Sequence, residues 1–197
     1  MQIIETMKII TNGSILDLGG NENVNNVTNF LIKDTKIIYA DKFPKNGALF
    51  IDLEITNNVE EKFDNIFAMN ILEHVKNYKN IIHLSYNALN KNGLLVGTTP
   101  FMFGVHRSPN DYLRFTDQLI KEELEEAGFV DVKIKTLSYG FFSNVYSLIC
   151  NFTKKIPFLN VLIISICLFL DIIFYRINRN FRKNYPLGYY FLASKNN

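Results

Sequence analysis

The sequence is short of cysteine and of net charge, and each shortage excludes a class of protein. Its two cysteines, Cys150 and Cys167, lie in apolar surroundings without the paired spacing of a zinc site, so we expect buried free thiols and a reducing compartment. The formal net charge is only +2, and no basic run with interleaved aromatic residues occurs in the part of the chain that predicts a sheet. Nucleic acid is therefore not an expected partner.

The N-terminal segment lacks the features of a secretory signal. Residues 1–10 contain one lysine and no long apolar core before a small-residue cleavage site, so we expect the protein to stay in the cytoplasm. The chain has 197 residues, of which 48% are hydrophobic, and this is enough for one domain with a full core. We expect a single domain over residues 1–197.

The most informative stretch is residues 14–23, where a short apolar run meets an acid and then a glycine turn. Ile15, Leu16 and Leu18 predict a buried strand, which Gly19 and the glycine after it end abruptly. A glycine directly after a strand lets main-chain amides come close to a ligand. Most such turns only reverse the chain, so a ligand-binding role needs support from the rest of the sequence.

That support comes from polar residues at the ends of successive predicted strands. Further strands are predicted at residues 36–43, 48–54, 63–70 and 93–100. Asp41 and Asp52 fall near the ends of two of them, and Asn70 ends a third. The carboxyl ends of parallel strands form the edge at which an open sheet binds its ligand. The pattern therefore predicts an α/β fold with a ligand site at that edge.

These residues resemble the class I S-adenosylmethionine-dependent methyltransferases of the small single-domain type. The resemblance covers residues 14–138 and resumes at 186–195, which is similar to the family's last strand. Its most specific part is FDNIFAMNILEHV, followed after a helix by LNKNGLLVGTTP. The resemblance implies a doubly wound, mostly parallel, seven-stranded Rossmann-like sheet, S-adenosylmethionine as the cofactor and no metal.

The resemblance also implies a set of cofactor-binding residues: Asp17, Gly19, Asn21, Asp41, Asp52, Leu53 and Asn70. Asp41 stands in the place of the family's ribose-binding acid, and Asp52 with Leu53 in the place of the pair that holds the adenine ring. The chain departs from the family in the first motif, where Asn21 and Asn23 replace glycines. Asparagine tolerates positive φ better than other non-glycine residues, so we still expect the turn to form, with more bulk near the ligand.

A second candidate region follows the fifth predicted strand. Residues 101–116 are dense in polar and aromatic groups, where the family has its active-site loop. His106 is the candidate general base near neutral pH, and Asp111 would orient it. Tyr112 and Arg114 would bind a hydroxylated or anionic acceptor. The alternative is a salt-bridged loop in which Arg114 pairs with Asp111.

The other two histidines are weaker candidates for a catalytic role. Helices are predicted at residues 21–34, 77–90 and 117–127, with Thr116 as the N-cap of the last, and residues 130–137 alternate as a sixth strand. His83 lies on the second of these helices, and we expect it to be packed or at the surface. His74, in the LEHV segment, lies nearer the binding edge, and both a structural and a functional role stay open.

Residues 139–185 form an apolar insertion before the last predicted strand. Within it, residues 158–175 are apolar on every face apart from three polar side chains, at the lower length limit for a membrane span. A single crossing would leave the last strand on the wrong side of the membrane. Basic residues at both ends, within residues 154–183, favour a helix in an anionic membrane interface or a hairpin that dips in and returns. The alternative is a helix buried between the subunits of a homodimer.

These observations together predict a methyltransferase acting on a small-molecule or lipid-linked acceptor, for example a glycan. Because few residues precede the first strand, we expect the insertion to recognise the acceptor and to make a cytoplasmic enzyme peripheral to a membrane. Two other classes stay open. A nicotinamide-dependent oxidoreductase would normally have GxGxxG after the first strand, which NENVNN does not supply. A catalytically silent, membrane-associated nucleotide-binding module would keep the same sequence features.

Overall fold

A seven-stranded sheet forms the centre of the protein in a computed structural model, which describes residues 13–20, 36–45, 47–107, 109–153 and 155–196. Its strands are β1 Ser14–Leu18, β2 Lys36–Asp41, β3 Leu49–Phe50, β4 Phe63–Met69, β5 Leu89–Pro100, β6 Phe129–Leu137 and β7 Gly188–Lys195. The order across the sheet is β3-β2-β1-β4-β5-β7-β6. Neighbours from β3 to β5 pair in parallel, whereas β7 is antiparallel to both β5 and β6. The predicted doubly wound, mostly parallel sheet is confirmed.

Helices connect the strands and follow β6. They are α1 Tyr78–Ala88, α2 Asp117–Glu126, α3 Phe141–Thr153, α4 Pro157–Ile177 and α5 Phe181–Asn184, with a short 3₁₀ helix at Leu72–His74. The predicted cap of α2 is confirmed, because the Thr116 hydroxyl oxygen accepts a hydrogen bond from the Leu119 amide at 3.2 Å. The predicted helix at residues 21–34 lies outside the described residues.

The core lies on both faces of the sheet, and the alternation of side chains along each strand explains why. Leu16 and Leu18 face a large cluster with residues of α1 and α2, whereas Ile15 faces a smaller cluster with Phe67 and Tyr190. Successive side chains of a strand point to opposite faces. Strands buried on both faces read as continuous apolar runs, which is how β1 and β4 appear in the sequence.

Two predicted strands are shorter in the structure, and the shortening has a local cause. β2 ends at Asp41 and not at residue 43, because the Asp41 carboxylate accepts a hydrogen bond from the Phe43 amide at 2.6 Å. β3 is only Leu49–Phe50 and not 48–54, and just beyond it the Asp52 carboxylate accepts a hydrogen bond from the Glu54 amide at 3.1 Å, which keeps residues 52–54 out of the ladder. Such side-chain turns compete with the strand ladder for the backbone. Asp41 therefore ends β2, and Asp52 turns the chain just after β3.

Other element bounds shift by a few residues. β5 begins at Leu89 and not at 93, because Leu89 pairs with Phe63 ahead of a register shift, and Asn92 takes a φ of +60° between the two paired parts. β4 ends one residue earlier than predicted, β6 begins one residue earlier, and α1 is shorter at both ends than the predicted 77–90. Element ends are set by such local bonds more than by apolar periodicity.

Gly97 is the position at which β7 can lie against β5. A Cβ atom there would come within 2.6 Å of the Phe191 ring and 2.7 Å of the Ala68 carbonyl oxygen. The missing side chain lets the ring of Phe191, on β7, cross the backbone of β5. Phe191 is almost fully buried as a result. This packing holds the last strand between β5 and β6.

The apolar insertion forms a helical hairpin made of α3 and α4. Near its tip, the Thr153 hydroxyl donates to the Asn160 side-chain oxygen at 2.8 Å, and the Tyr146 hydroxyl also donates to Asn160. α4 is the one helix among the described residues that is long and apolar enough to cross a membrane. Most of its side chains are exposed. Cys150 and Cys167, one on each helix, are free thiols as predicted, but both are partly exposed and not buried.

The one acid of α4 anchors the other end of the hairpin. Asp171 is 1% exposed, and its two carboxylate oxygens accept hydrogen bonds from the Phe142 and Ser143 amides, each at 2.9 Å. These amides belong to the first turn of α3, where backbone N–H groups lack partners within the helix. An acid is favoured at that end by the helix dipole as well. Asp171 of α4 therefore caps the first turn of α3 and holds the two helices together.

We predict that Asp171→Ala lowers the free energy of unfolding by about 1 to 3 kcal/mol, because the two amides at the start of α3 lose their acceptor. Chemical denaturation followed by circular dichroism measures the change. Ser165→Ala is the matched control on the same helix, since its hydroxyl is exposed and, among the described residues, bonds only to the Val161 carbonyl of its own helix. Equal stability of the two variants would remove Asp171 as the anchor.

Candidate functional site

A cavity of about 540 Å³ lies at the carboxyl ends of the parallel strands. Five residues predicted to bind the cofactor line it: Gly19, Asp41, Asp52, Leu53 and Asn70. They follow β1, β2, β3 and β4 in turn, and the parallel pairing of these strands brings them together. Ligand pockets of proteins commonly measure about 300 to 1,000 Å³, so this cavity has room for a nucleotide-sized ligand.

Of the remaining predicted cofactor residues, Asp17 lies beneath the turn and not on the cavity wall. It is buried, and burial raises the pKa of its carboxyl to about 7. A Cβ atom on Gly20 would come within 2.5 Å of the Asp17 carboxyl carbon, so the turn needs a glycine there. Gly19 takes a φ of +73°, in the region that favours glycine. Asn21 lies outside the described residues.

The two acids at the next strand ends differ in their partners. One oxygen of Asp41 accepts the bond from the Phe43 amide, and no donor among the described residues reaches the other oxygen. Asp52 forms an ion pair with Lys42, at 2.8 Å between Nζ and Oδ2. The hydrogen bond from Lys42 and that from the Glu54 amide lower the pKa of Asp52. Lys42 also lines the cavity, and the sequence analysis did not single it out.

Asn70 carries an unusual backbone at the end of β4. Its φ is +49°, which asparagine tolerates better than most residues. Its amide donates to the Thr98 carbonyl at 2.9 Å, and its side-chain oxygen accepts from the Thr98 hydroxyl at 3.0 Å. These bonds tie the end of β4 to β5. They hold the exposed Asn70 backbone at the cavity wall.

The loop after β5 is built on an ion pair. Arg114 donates two hydrogen bonds to the Asp111 carboxylate, of 2.5 Å and 2.8 Å. The predicted alternative of a salt-bridged loop is therefore confirmed. The bond from Arg114 holds the pKa of Asp111 well below its usual range. Asp111 also accepts a bond from the His106 amide at 2.9 Å. Tyr112 is 47% exposed, and its amide donates to the Glu73 carbonyl at 2.7 Å.

His106 and His74 converge on Glu73, which the sequence analysis did not single out. The Glu73 side chain is 0% exposed, and neither of its oxygens accepts a hydrogen bond from the described residues. Its Oε1 lies 3.8 Å from His74 Nε2 and 3.9 Å from His106 Nε2. Burial raises the pKa of Glu73 to about 7. His74 also lines the cavity, so the three residues adjoin the predicted cofactor site.

The base role of His106 stays a prediction, and the geometry identifies the nitrogen that would perform it. His106 Nδ1 lies 3.2 Å from the Gly104 carbonyl oxygen, which can only accept a hydrogen bond. The proton therefore sits on Nδ1, and Nε2 offers a lone pair toward Glu73. In the sequence, only the LEHV segment pointed to this cluster. The sequence pattern did not indicate that Glu73 would contact a loop more than 30 residues away. His83 is exposed on α1, as expected.

Comparison with known proteins finds the same fold at low sequence identity. No protein-family model and no curated protein sequence matches the chain. Phosphoethanolamine N-methyltransferase 2 of Haemonchus contortus, solved with S-adenosyl-L-methionine, superposes with a TM-score of 0.62 at 12% identity. The match covers 100% of this chain and 53% of that one, so the chain spans about half the length of this relative.

Two further solved structures share the fold but are described by different activities. A SAM-dependent methyltransferase from Archaeoglobus fulgidus matches with a TM-score of 0.59 at 16% identity, over 98% of this chain and 93% of its own. The [4+2]-cyclase SpnF matches with a TM-score of 0.59 at 15% identity, over 99% of this chain and 80% of its own. The comparisons thus establish the methyltransferase fold, and the chemistry has to be argued from the site.

Proposed function

We propose that the protein is an S-adenosylmethionine-dependent methyltransferase. The observation that carries the proposal is the cavity at the carboxyl edge of the sheet, with Asp41 and Asp52 at the ends of adjacent strands and Gly19 in the turn after β1. Solved structures of this fold that contain S-adenosyl-L-methionine or S-adenosylhomocysteine support the choice of ligand. A nicotinamide cofactor is disfavoured, since the segment after β1 has no GxGxxG.

The residues of the cavity fit the parts of this cofactor. The free oxygen of Asp41 would accept hydrogen bonds from the ribose hydroxyls, and Leu53 would pack against the adenine ring. The open turn at Gly19 would admit the amino-acid end close to the backbone. When bound, the cofactor supplies a methyl group on a sulfonium with a good leaving group. The protein then has mainly to hold the acceptor in line with that methyl carbon.

We predict that Asp41→Ala weakens cofactor binding by about 1 to 3 kcal/mol, because one or two hydrogen bonds to the ribose are lost. Isothermal calorimetry with S-adenosylhomocysteine measures the dissociation constant. Asp41→Asn keeps an oxygen for the Phe43 amide and separates loss of the turn from loss of the ribose contact.

Glu60→Ala is the control for that experiment, since Glu60 is an exposed acid away from the cavity. We expect it to bind as the wild type does. An unchanged dissociation constant in Asp41→Ala would remove Asp41 from the site. Methyl transfer from the labelled cofactor to extracted lipid or glycan fractions then tests turnover.

We further propose that the hairpin of α3 and α4 inserts into an anionic lipid surface and that the acceptor is lipid-linked. The exposed apolar side chains of the hairpin include Phe158, Val161, Ile166 and Phe169, and Phe158 at the tip is 80% exposed. Monomeric soluble proteins rarely expose an apolar patch of this kind. Lipid covers it without a second protein.

Charge and topology favour lipid over a protein partner. Arg176, Arg179, Arg182 and Lys183 follow the apolar part of α4, and two of the arginines lie over the Tyr175 ring at 4.3 and 5.5 Å. A basic cluster beside an apolar hairpin suits anionic headgroups. Since β6 and β7 belong to the same sheet, both ends of the insertion return to the same side. In a membrane, the hairpin would therefore dip in and return without crossing.

The base of the hairpin is joined to the loop that carries His106. The Phe101 amide donates to the Leu187 carbonyl at 2.8 Å, and the Met102 amide to the Pro186 carbonyl at 3.3 Å. The Asn144 side chain, on α3, donates to the Tyr185 carbonyl at 2.6 Å. A membrane surface at the hairpin would thus lie next to the loop beside the cavity. A lipid-linked acceptor would reach the methyl group from there.

We predict that the protein co-sediments with anionic liposomes at low salt and less at high salt, because each basic residue near the surface adds about 1 kcal/mol of attraction that salt screens. Phe158→Asp should weaken binding at either salt concentration by placing a charge in the apolar region. Neutral liposomes should bind less than anionic ones.

The matched control is Ile55→Asp, which changes an equally exposed apolar side chain far from the hairpin along the chain. It should leave binding unchanged. A protein that ignores both kinds of liposome and runs as a tight dimer in solution would overturn the lipid proposal in favour of a subunit interface.

A further inference from the structure

We infer that Glu73, His74 and His106 bind a divalent transition-metal ion between the 3₁₀ helix and the loop after β5. The three side chains offer one carboxylate oxygen and two imidazole nitrogens, and these ligand atoms lie within 4.8 Å of one another. Two histidines and one carboxylate form a common ligand set for zinc, iron and similar ions. The site is independent of the methyl-transfer proposal, since its ligands can be tested without the cofactor.

The orientation of the two imidazoles is the first argument. His74 Nδ1 lies against the Asn110 carbonyl oxygen, and His106 Nδ1 against the Gly104 carbonyl oxygen at 3.2 Å. Each Nδ1 therefore carries the proton, and each Nε2 presents a lone pair toward Glu73. Metal-binding histidines almost always donate their other ring nitrogen to a carbonyl or carboxylate in this way.

The surroundings of Glu73 are the second argument. Its buried carboxylate faces the two Nε2 atoms at 3.8 and 3.9 Å, and no donor of the described residues satisfies either oxygen. A cation placed between these three atoms would satisfy all of them, and buried acceptors without a partner are costly. The backbone of Glu73 is also held against the loop after β5, since the Tyr112 amide donates to the Glu73 carbonyl at 2.7 Å.

The distances permit an ion once the two imidazole rings turn toward each other. Bonds of about 2.0 to 2.2 Å from a zinc ion to nitrogen and oxygen would separate neighbouring ligand atoms by about 3 to 3.5 Å. The Glu73 to histidine separations have to close by a few tenths of an ångström to reach that range, and the two histidine nitrogens, which lie within 4.8 Å of each other, by about 1 Å. Asp111 supports the site from outside, with one oxygen 3.4 Å from His106 Nδ1 and both oxygens held by Arg114.

The site would leave coordination positions open beside the cavity that His74 lines. An oxygen of an acceptor could take such a position, where the ion would favour its deprotonated form. The same His106 Nε2 cannot serve as a free base and as a metal ligand. We choose the metal-ligand role for His106 because the ligand atoms of Glu73 and His74 face its Nε2 atom.

The direct test uses the untagged wild-type protein, which has only three histidines. After chelator treatment and dialysis, Zn²⁺ is added while the imidazole carbon-bound proton signals are followed by nuclear magnetic resonance. We expect saturation at one ion per chain, with shifts of the His74 and His106 signals and no shift of His83, the internal control on α1. Co²⁺ should give visible absorption bands of a nitrogen- and oxygen-ligated ion.

Variants then identify the ligands by calorimetry with Zn²⁺. Glu73→Gln and His106→Gln should each weaken binding by about 100-fold or more, and Asp111→Asn by about 10- to 100-fold through the orientation of His106. His83→Gln should bind as the wild type does. A wild-type protein in which Zn²⁺ shifts none of the signals, or shifts His83 alone, would overturn the proposal, as would unchanged affinity in both ligand variants. Because no methyl donor is present, this result is separate from the success or failure of the methyl-transfer proposal.

Discussion

The parallel pairing of β1 with β2 and β4 is the constraint on which the candidate site depends. It brings the ends of strands that are far apart in the chain to one edge of the sheet. The side chains that follow these ends then determine the shape of the cavity. Asp41, at the end of β2, and Asp52, just after β3, both turn the backbone with their own carboxylates, and both line the same cavity. The residues that shape this edge of the sheet are thus the ones that we propose as ligand contacts.

The placement of β7 between β5 and β6 is the second constraint, and it governs the insertion. Gly97 admits the Phe191 ring, and the strand that follows the hairpin is locked into the sheet. The hairpin is consequently held at both ends while most of its apolar surface stays exposed. Asp171 holds its two helices together at the base, and Asn160 does so near the tip. This exposed apolar surface is the basis of the lipid proposal.

The strand pattern of the sheet could be predicted from the sequence because apolar runs with polar ends report burial directly. Strand ends were less predictable, since they depend on single side-chain bonds such as that from the Phe43 amide to Asp41. The cluster of Glu73 with His106 was not predictable, because the loop that carries His106 is folded back by contacts distant in the chain. The role of Asp171 was hidden for the same reason: an acid in an apolar helix has no visible partner until the neighbouring helix is in place.

We expect the edge of this sheet to bind S-adenosylmethionine. Titration of the wild-type protein with S-adenosylmethionine, S-adenosylhomocysteine and NAD in a calorimeter tests it most directly. We predict one site per chain for the first two ligands and no binding of NAD. Absence of heat with both sulfur ligands at concentrations that saturate a control methyltransferase, or preferential binding of NAD, would contradict it.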